Sequence, residues 1–212
     1  QTVSFQIPKL AFLQPENQEW VGELHVVDIG LSKKYLKEVE ATHFLIILKS
    51  VKKILKPRSR FDHKGKFGHA LLIAGSAGKM GACILSARAA LRSGLGLLTM
   101  HVPGNGYSII QTAVPEAMAT IDQSTDLFSG REVESFFTTI GIGPGLGQAN
   151  ETVQGFEYLL KSLKKPMVID ADALNILSSS PELQELIPDG SILTPHPGEF
   201  ARLVGAWKND FD

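Results

Sequence analysis

Apolar positions in this chain come in short continuous runs, each broken by a glycine- or proline-rich turn, and from residue 69 onward the runs alternate with helical stretches. Residues 69–74 are apolar almost throughout, the pattern of a strand buried on both faces. The turn Gly75-Ser76-Ala77-Gly78-Lys79-Met80-Gly81 follows. Residues 82–93 then read as a helix whose Ala82, Ala87, Ala89 and Ala90 permit close approach to a sheet, stopped by Gly94-Leu95-Gly96. Further strands are predicted at 97–102, 137–142, 166–170 and 191–193. A helix at 151–163 carries Val153, Phe156, Leu159 and Leu160 on one stripe, and shorter helical pieces fall at 174–177, 181–186 and 200–204. Strands alternating with helices predict an α/β fold, a mostly parallel sheet flanked by helices on both faces.

The first 50 residues behave differently. Two strands are expected, at 2–5 and 24–29, joined through Pro8 and Pro15, with too little apolar surface for an independent core. They read as the tail of something larger. Residues 49–66 read as a connector, and its basic cluster (Lys52, Lys53, Lys56, Arg58, Arg60) is either solvated or attractive to an anionic ligand. The expected division is therefore 1–50 and 51–212.

Composition narrows the partners. The 212 residues are 43% hydrophobic and 20% charged with a formal net charge of -1, ordinary for a globular protein and no support for nucleic acid or a membrane surface as partner. A single cysteine, Cys83, excludes an internal disulfide, fits a reducing cytosol, and reads as buried filler in its helix. The apolar run Phe44-Leu45-Ile46-Ile47-Leu48 is far shorter than the roughly 20 residues of a membrane helix. The histidines show no metal-ligand spacing with one another or with Cys83, so no structural zinc is expected. Arg88 and Arg92 read as a solvated helix face.

In a parallel sheet all carboxyl ends lie on one edge, so the turns after residues 74, 142, 170 and 193 should meet in one crevice. The first turn offers backbone N–H groups at a helix start, a phosphate cradle or simply a tight turn. The second, Gly143-Pro144-Gly145-Leu146-Gly147, lets backbone approach a flat ligand closely. Asp170 reads as a site carboxylate, whereas Asp172 reads as the cap of the following helix. In Thr194-Pro195-His196-Pro197-Gly198-Glu199 the imidazole and carboxylate form either an acid/base pair or a capped turn.

These stretches together resemble the dehydratase domain of NAD(P)H-hydrate repair enzymes. The likeness is carried by His63-Lys64-Gly65-Lys66-Phe67-Gly68, Ile73-Ala74-Gly75-Ser76 with Gly81-Ala82, and residues 89–97. It continues through Gly143-Pro144-Gly145-Leu146, Ile169-Asp170-Ala171-Asp172-Ala173-Leu174-Asn175 and Leu193-Thr194-Pro195-His196-Pro197-Gly198-Glu199-Phe200. Residues 2–5 with Pro8-Lys9, and Val26-Val27-Asp28-Ile29-Gly30, similarly look like the end of an NAD(P)H-hydrate epimerase domain.

The resemblance implies a ribokinase-like fold and a cytoplasmic homo-oligomer, often a tetramer. It also implies dehydration of NADHX or NADPHX with ADP (or ATP) as phosphoryl donor and Mg2+. It places substrate contacts on Ala82, Gly145 and His196, and Glu199 where related enzymes support the magnesium and phosphates. Asp170 would line the same crevice. The family's nucleotide loop and its Gly-Thr-Gly-Asp segment, source of the catalytic base, would lie beyond Asp212, so no nucleotide-binding residue is assigned and residues 1–212 alone are expected to show no turnover. The alternatives are a sugar or hydroxymethylpyrimidine kinase on the same fold, or a non-catalytic nucleotide-binding module. A Rossmann dehydrogenase fits less well, since no Gly-x-Gly-x-x-Gly follows the first strand.

Overall fold

Two short strands, β1 (Thr2–Phe5) and β2 (Leu24–Val27), pair in parallel in the computed structural model, which describes residues 1–55 and 57–208. They belong to a first unit, Gln1–Ser59 together with the stretch from Trp207 on, while Arg60–Ala206 form a second. Within the first unit the helix α1 (Gln18–Val21) links the strands, and the Thr2 hydroxyl donates to the Val21 carbonyl at 2.6 Å. Val3, Phe5, Val26 and Val27 all remain exposed, because a two-stranded ribbon has no second layer to bury them.

Helices α2 (Lys33–Glu38) and α3 (Leu48–Ile54) complete this unit, and neither buries a residue. The Ser32 hydroxyl caps α2 by accepting the Tyr35 N–H at 3.3 Å. Helix α3 gives the start of the stretch read as a connector a helical backbone, with all of its residues exposed. Leu48, Val51 and Leu55 recur at helical spacing, a period hidden by the intervening lysines. Of the basic cluster, Lys56 lies outside the described residues.

The second unit is a six-stranded, wholly parallel sheet of β3 (His69–Ile73), β4 (Leu97–Val102), β5 (Met118–Ile121), β6 (Thr139–Ile142), β7 (Val168–Ile169) and β8 (Ile192–Leu193). Their order across the sheet is β5-β4-β3-β6-β7-β8. The helices are α4 (Met80–Arg92), α5 (Tyr107–Ala113), α6 (Asn150–Ser162), α7 (Asp172–Ser179) and α8 (Pro197–Val204). Alternation along the strands sorts side chains into two cores. Leu71, Ile73, Ile140, Ile142 and Ile169 join Phe156, Leu159 and Leu160 of α6 and Leu174 and Leu177 of α7. On the opposite face Ala70, Ala74, Leu98, Met100 and Val102 join Cys83 and Ala87 of α4 and Ile110 of α5. Helices therefore cover both faces, as the alternation of elements predicts.

Cys83 is fully buried, and burial pushes its thiol up to about 12, which agrees with a packing role. In the second unit α5 and the edge strand β5 lie outside the sequence reading, as do the helices α1, α2 and α3 of the first. Arg88 is also more than a solvated side chain, since it donates to the Ala113 carbonyl at the end of α5 at 3.0 Å.

Candidate active site at the switch point of the sheet

Strands β3, β4 and β5 step outward in one direction, and the chain then returns to place β6 on the other side of β3. The helix after β3 packs on one face and the helix after β6 on the opposite face. Their loops consequently diverge and leave a crevice at the carboxyl edge, the position where open α/β sheets bind ligands.

Both glycine-rich loops meet there. Gly75 N–H donates to the Pro144 carbonyl at 2.9 Å, and the Ser76 hydroxyl donates to the Gly145 carbonyl at 2.8 Å. Gly145 has φ +66°, and a Cβ on it would stand 2.8 Å from the Lys79 carbonyl oxygen and 3.1 Å from the Ala82 Cβ. Ala82 and Gly145 are thus direct neighbours. The start of α4 lies beside them, and no side chain caps it.

Asp172 ties these loops together, which corrects its reading as a helix cap. Its Oδ2 accepts Gly147 N–H at 2.8 Å and Lys79 Nζ at 3.1 Å, and its Oδ1 accepts Gln148 Nε2 at 3.4 Å. The residue before it, Ala171, has φ +51°, a left-handed conformation that turns the chain between strand and helix. Burial alone would raise the Asp172 carboxyl, but the Gly147 N–H and the Lys79 ammonium outweigh it and hold the group below the usual range. The doubled aspartate was visible in the sequence. Which of the two faced the glycine loop depended on a backbone turn that no local pattern signalled.

Asp170 is half-buried and lines a groove of about 460 Å³ with Pro144, Ser86 and Thr194. Pro144 immediately precedes Gly145, and Ser86 lies one helical turn after Ala82, so one end of the groove adjoins the loop pair. The remainder is mostly apolar surface, from Ala70, Leu72, Gly141 and Val168 of the sheet and Ala89 and Ala90 of α4. The Asp170 backbone is packed as tightly as any here: a Cβ at Gly143 would fall 1.8 Å from its carbonyl oxygen.

His196 and Glu199 adopt the capped turn. Glu199 Oε2 accepts His196 N–H at 2.9 Å, and His196 Nδ1 accepts Gly198 N–H at 3.1 Å, which fixes the imidazole proton on Nε2. Glu199 is buried, while the His196 side chain is 63% exposed. Helix α8 is steadied against α7 by Arg202, whose Nε and guanidinium nitrogen donate to Asn175 Oδ1 at 3.1 and 2.8 Å. His196 therefore stands two residues beyond Thr194 of the groove, but its hydrogen bonds stay within its own turn. The stretch His63–Gly68 sits at the opposite, amino edge, where Phe67 and Gly68 carbonyls accept the Gly96 and Leu97 N–H groups.

Magnesium in phosphoryl-transfer sites takes one or two carboxylates along with phosphate oxygens. Among the described residues no three His, Cys, Asp or Glu side chains converge on one point. Glu199 is engaged in its cap and Asp172 with Gly147 and Lys79, whereas the Asp170 carboxylate has no partner among the described residues. These residues do not by themselves make a magnesium site.

Comparison with known proteins places the sequence in one family. The sequence profile of the NAD(P)H-hydrate dehydratase family matches residues 70–211. A bifunctional NAD(P)H-hydrate repair enzyme of Coxiella burnetii is 36% identical over 210 residues, covering 99% of this chain and 41% of that protein. An ADP-dependent (S)-NAD(P)H-hydrate dehydratase of Bacillus subtilis is 36% identical over 160 residues, covering 76% of this chain and 55% of its own length. A crystal structure of a Bacillus subtilis ADP/ATP-dependent NAD(P)H-hydrate dehydratase, co-crystallised with ATP and Mg2+, superposes with a TM-score of 0.59 at 32% identity, over 74% of this chain and 54% of that one. A ribokinase-like superfamily protein of Enterococcus faecalis gives a TM-score of 0.64 at 27% identity, over 78% and 59% of the two chains. The fold is ribokinase-like, and the chain spans less than half the length of the bifunctional relatives it matches.

Proposed function

Because the chain belongs to the NAD(P)H-hydrate dehydratase family, we propose that it serves the nucleotide-dependent dehydration of NADHX or NADPHX, returning NADH or NADPH. The substrate carries a hydroxyl on a saturated carbon of its nicotinamide ring. Hydroxide is a poor leaving group at neutral pH. Transfer of a terminal phosphoryl group from ADP or ATP to that oxygen makes phosphate the leaving group. The ring nitrogen's lone pair then drives C–O cleavage, a proton leaves the adjacent carbon, and the ring double bond is restored. Positioning and charge stabilisation dominate phosphoryl transfer, which suits a kinase-like scaffold.

The observation that carries this reading is the contact of Gly145 with Lys79 and Ala82 at the switch point, where backbone without side chains borders the crevice. On this reading Ala82 and Gly145 contact the dinucleotide and His196 approaches it from the third loop. Asp170 faces the reacting end, and Glu199 acts by holding His196 and, indirectly, the metal–phosphate region. The wider organisation follows the same proposal: residues 1–50 as the end of an epimerase domain, 51–212 as the beginning of a dehydratase domain, and a cytoplasmic homo-oligomer acting on small molecules, with neither nucleic acid nor a membrane as partner. The near-complete alignment with a bifunctional relative and the shorter one with a monofunctional relative support that division.

The test is to incubate the protein in its longest natural form with NADHX, ADP and Mg2+ and follow absorbance near 340 nm. Recovery of the NADH band with release of AMP and phosphate is expected. A stable phosphorylated product would instead indicate a small-molecule kinase, and tight ADP binding without product a regulatory module.

A further inference from the structure

A second polar cluster lies at the carboxyl ends of β4 and β5, away from the glycine loops themselves. His101 and Asp122 are 4% and 6% exposed, an unusual depth for an imidazole and a carboxylate. Asp122 Oδ2 accepts His101 Nε2 at 3.0 Å and Ser129 N–H at 3.0 Å; Oδ1 accepts Ser124 N–H at 2.9 Å and the Ser129 hydroxyl at 2.5 Å. Arg131 donates to Thr120 Oγ1 at 2.7 Å and to His101 Nδ1 at 3.1 Å, so Nδ1 is an acceptor and the ring proton sits on Nε2, facing Asp122. Phe128 closes the cluster edge-on against the His101 ring.

One carboxylate thus gathers backbone N–H groups from both ends of the segment 124–129 and pins them to the end of β4. The tip of that segment touches the candidate site. The Asp126 carbonyl accepts Ala77 N–H at 2.7 Å, in the middle of the turn between β3 and α4. On its other side the segment is held by Gly104 N–H to Ser124, Asn105 N–H to Thr125, and the Asn105 amide to the Asp126 carboxylate at 2.9 Å. A buried charge is costly unless fully hydrogen-bonded, and apolar packing would fill the same space without that cost. A carboxylate at this point instead fixes where the segment's carbonyls face.

We propose that His101, Asp122 and Ser129 are positioning residues for the dinucleotide site: they set the segment 122–131, whose Asp126 carbonyl holds Ala77 and with it the turn that brings Ala82 against Gly145. The catalytic consequence rests on the functional reading above, whereas the mechanical coupling does not. Asp122→Asn leaves at least one of the four donors facing an amide NH2, and Ser129→Ala removes one hydroxyl bond while keeping the backbone intact.

Amide hydrogen exchange read peptide by peptide separates the outcomes. Exchange over residues 75–82 is expected to quicken about tenfold in Asp122→Asn and by a smaller factor in Ser129→Ala, with α6 and α7 unchanged. In the longest natural form, KM for NADHX should rise about tenfold with kcat within about twofold and the nucleotide KM unmoved. If exchange quickens over 122–131 yet residues 75–82 keep wild-type protection, the proposal is overturned, whatever the activity. If the wild type does not dehydrate NADHX at all, the functional reading fails while the exchange data still decide the coupling. Should Asp122→Asn not fold, Ser129→Ala decides it by the same peptides.

Discussion

Replacing Gly145 with alanine places one methyl group where the two glycine loops meet. The backbone there has φ +66°, a left-handed conformation that costs an L-residue about 1–2 kcal/mol. The new Cβ would also lie 2.8 Å from the Lys79 carbonyl oxygen and 3.1 Å from the Ala82 Cβ. Carbon contacts are comfortable at about 3.5–4.0 Å, so the loops must part by roughly half an ångström. Neither neighbour is a flexible side-chain end: the Lys79 carbonyl accepts Ala82 N–H at 3.2 Å and belongs to the first turn of α4. Gly78 supplies the control, with φ +79° and nothing within 4 Å of its would-be Cβ.

Gly78→Ala should therefore lose only the backbone term, about 1 kcal/mol, and Gly145→Ala about 2–4 kcal/mol once overpacking is added. For a chain of this size that corresponds to a Tm lower by about 2–4 °C and by about 4–16 °C respectively. The same displacement should weaken NADHX binding about 10- to 100-fold in Gly145→Ala and leave Gly78→Ala near wild type. Calorimetric unfolding tests the packing and titration with NADHX tests the site. Equal Tm values for the two variants would show that Gly145 does not abut α4, and the switch-point site would lose its basis.

Other expectations are as direct. Asp172 and Asp122 both have carboxyls held below the usual range in the folded state, so the stability they contribute is complete above the unfolded value of about 4 and is lost as pH falls through their folded values. Asp172→Asn should cost about 1–3 kcal/mol near pH 7, and the wild-type advantage in urea unfolding should shrink below about pH 4; a constant difference down to pH 2 contradicts the assignment. Cys83, buried and with its thiol raised to about 12, should react with a thiol reagent at pH 8 only after denaturant is added. Thr152 is fully buried, and its hydroxyl finds no partner among the described residues. Thr152→Val should accordingly raise stability by about 1 kcal/mol, read as a higher urea midpoint.

Much of this architecture was legible in local pattern. The apolar runs of β3, β4 and β6, the small-residue face of α4 and the stripe on α6 each announce their element, because burial on one or both faces imposes a period on neighbouring residues. The pairing of Ala82 with Gly145 also follows from sequence once the strands are parallel, since parallel strands send all their carboxyl ends to one edge. Strand β5 gave no such signal: it is four residues long, lies at the sheet edge, and turns Thr120 toward His101 and Arg131.

The roles of single polar residues were decided later in the hierarchy. Asp170 and Asp172 stand on either side of Ala171, yet its left-handed backbone directs Asp172 to Gly147 while Asp170 lines the groove. His101 and Asp122, 21 residues apart, meet only because β4 and β5 lie side by side. By itself the sequence determined the buried strands β3, β4 and β6, the helices α4 and α6 and the glycine turns between them, since a buried face or a tight turn imposes its pattern on near neighbours. Which carboxylate ties, caps or stays free was settled by tertiary structure, because a hydrogen bond needs a partner at a set distance and angle, and only the packed chain supplies it.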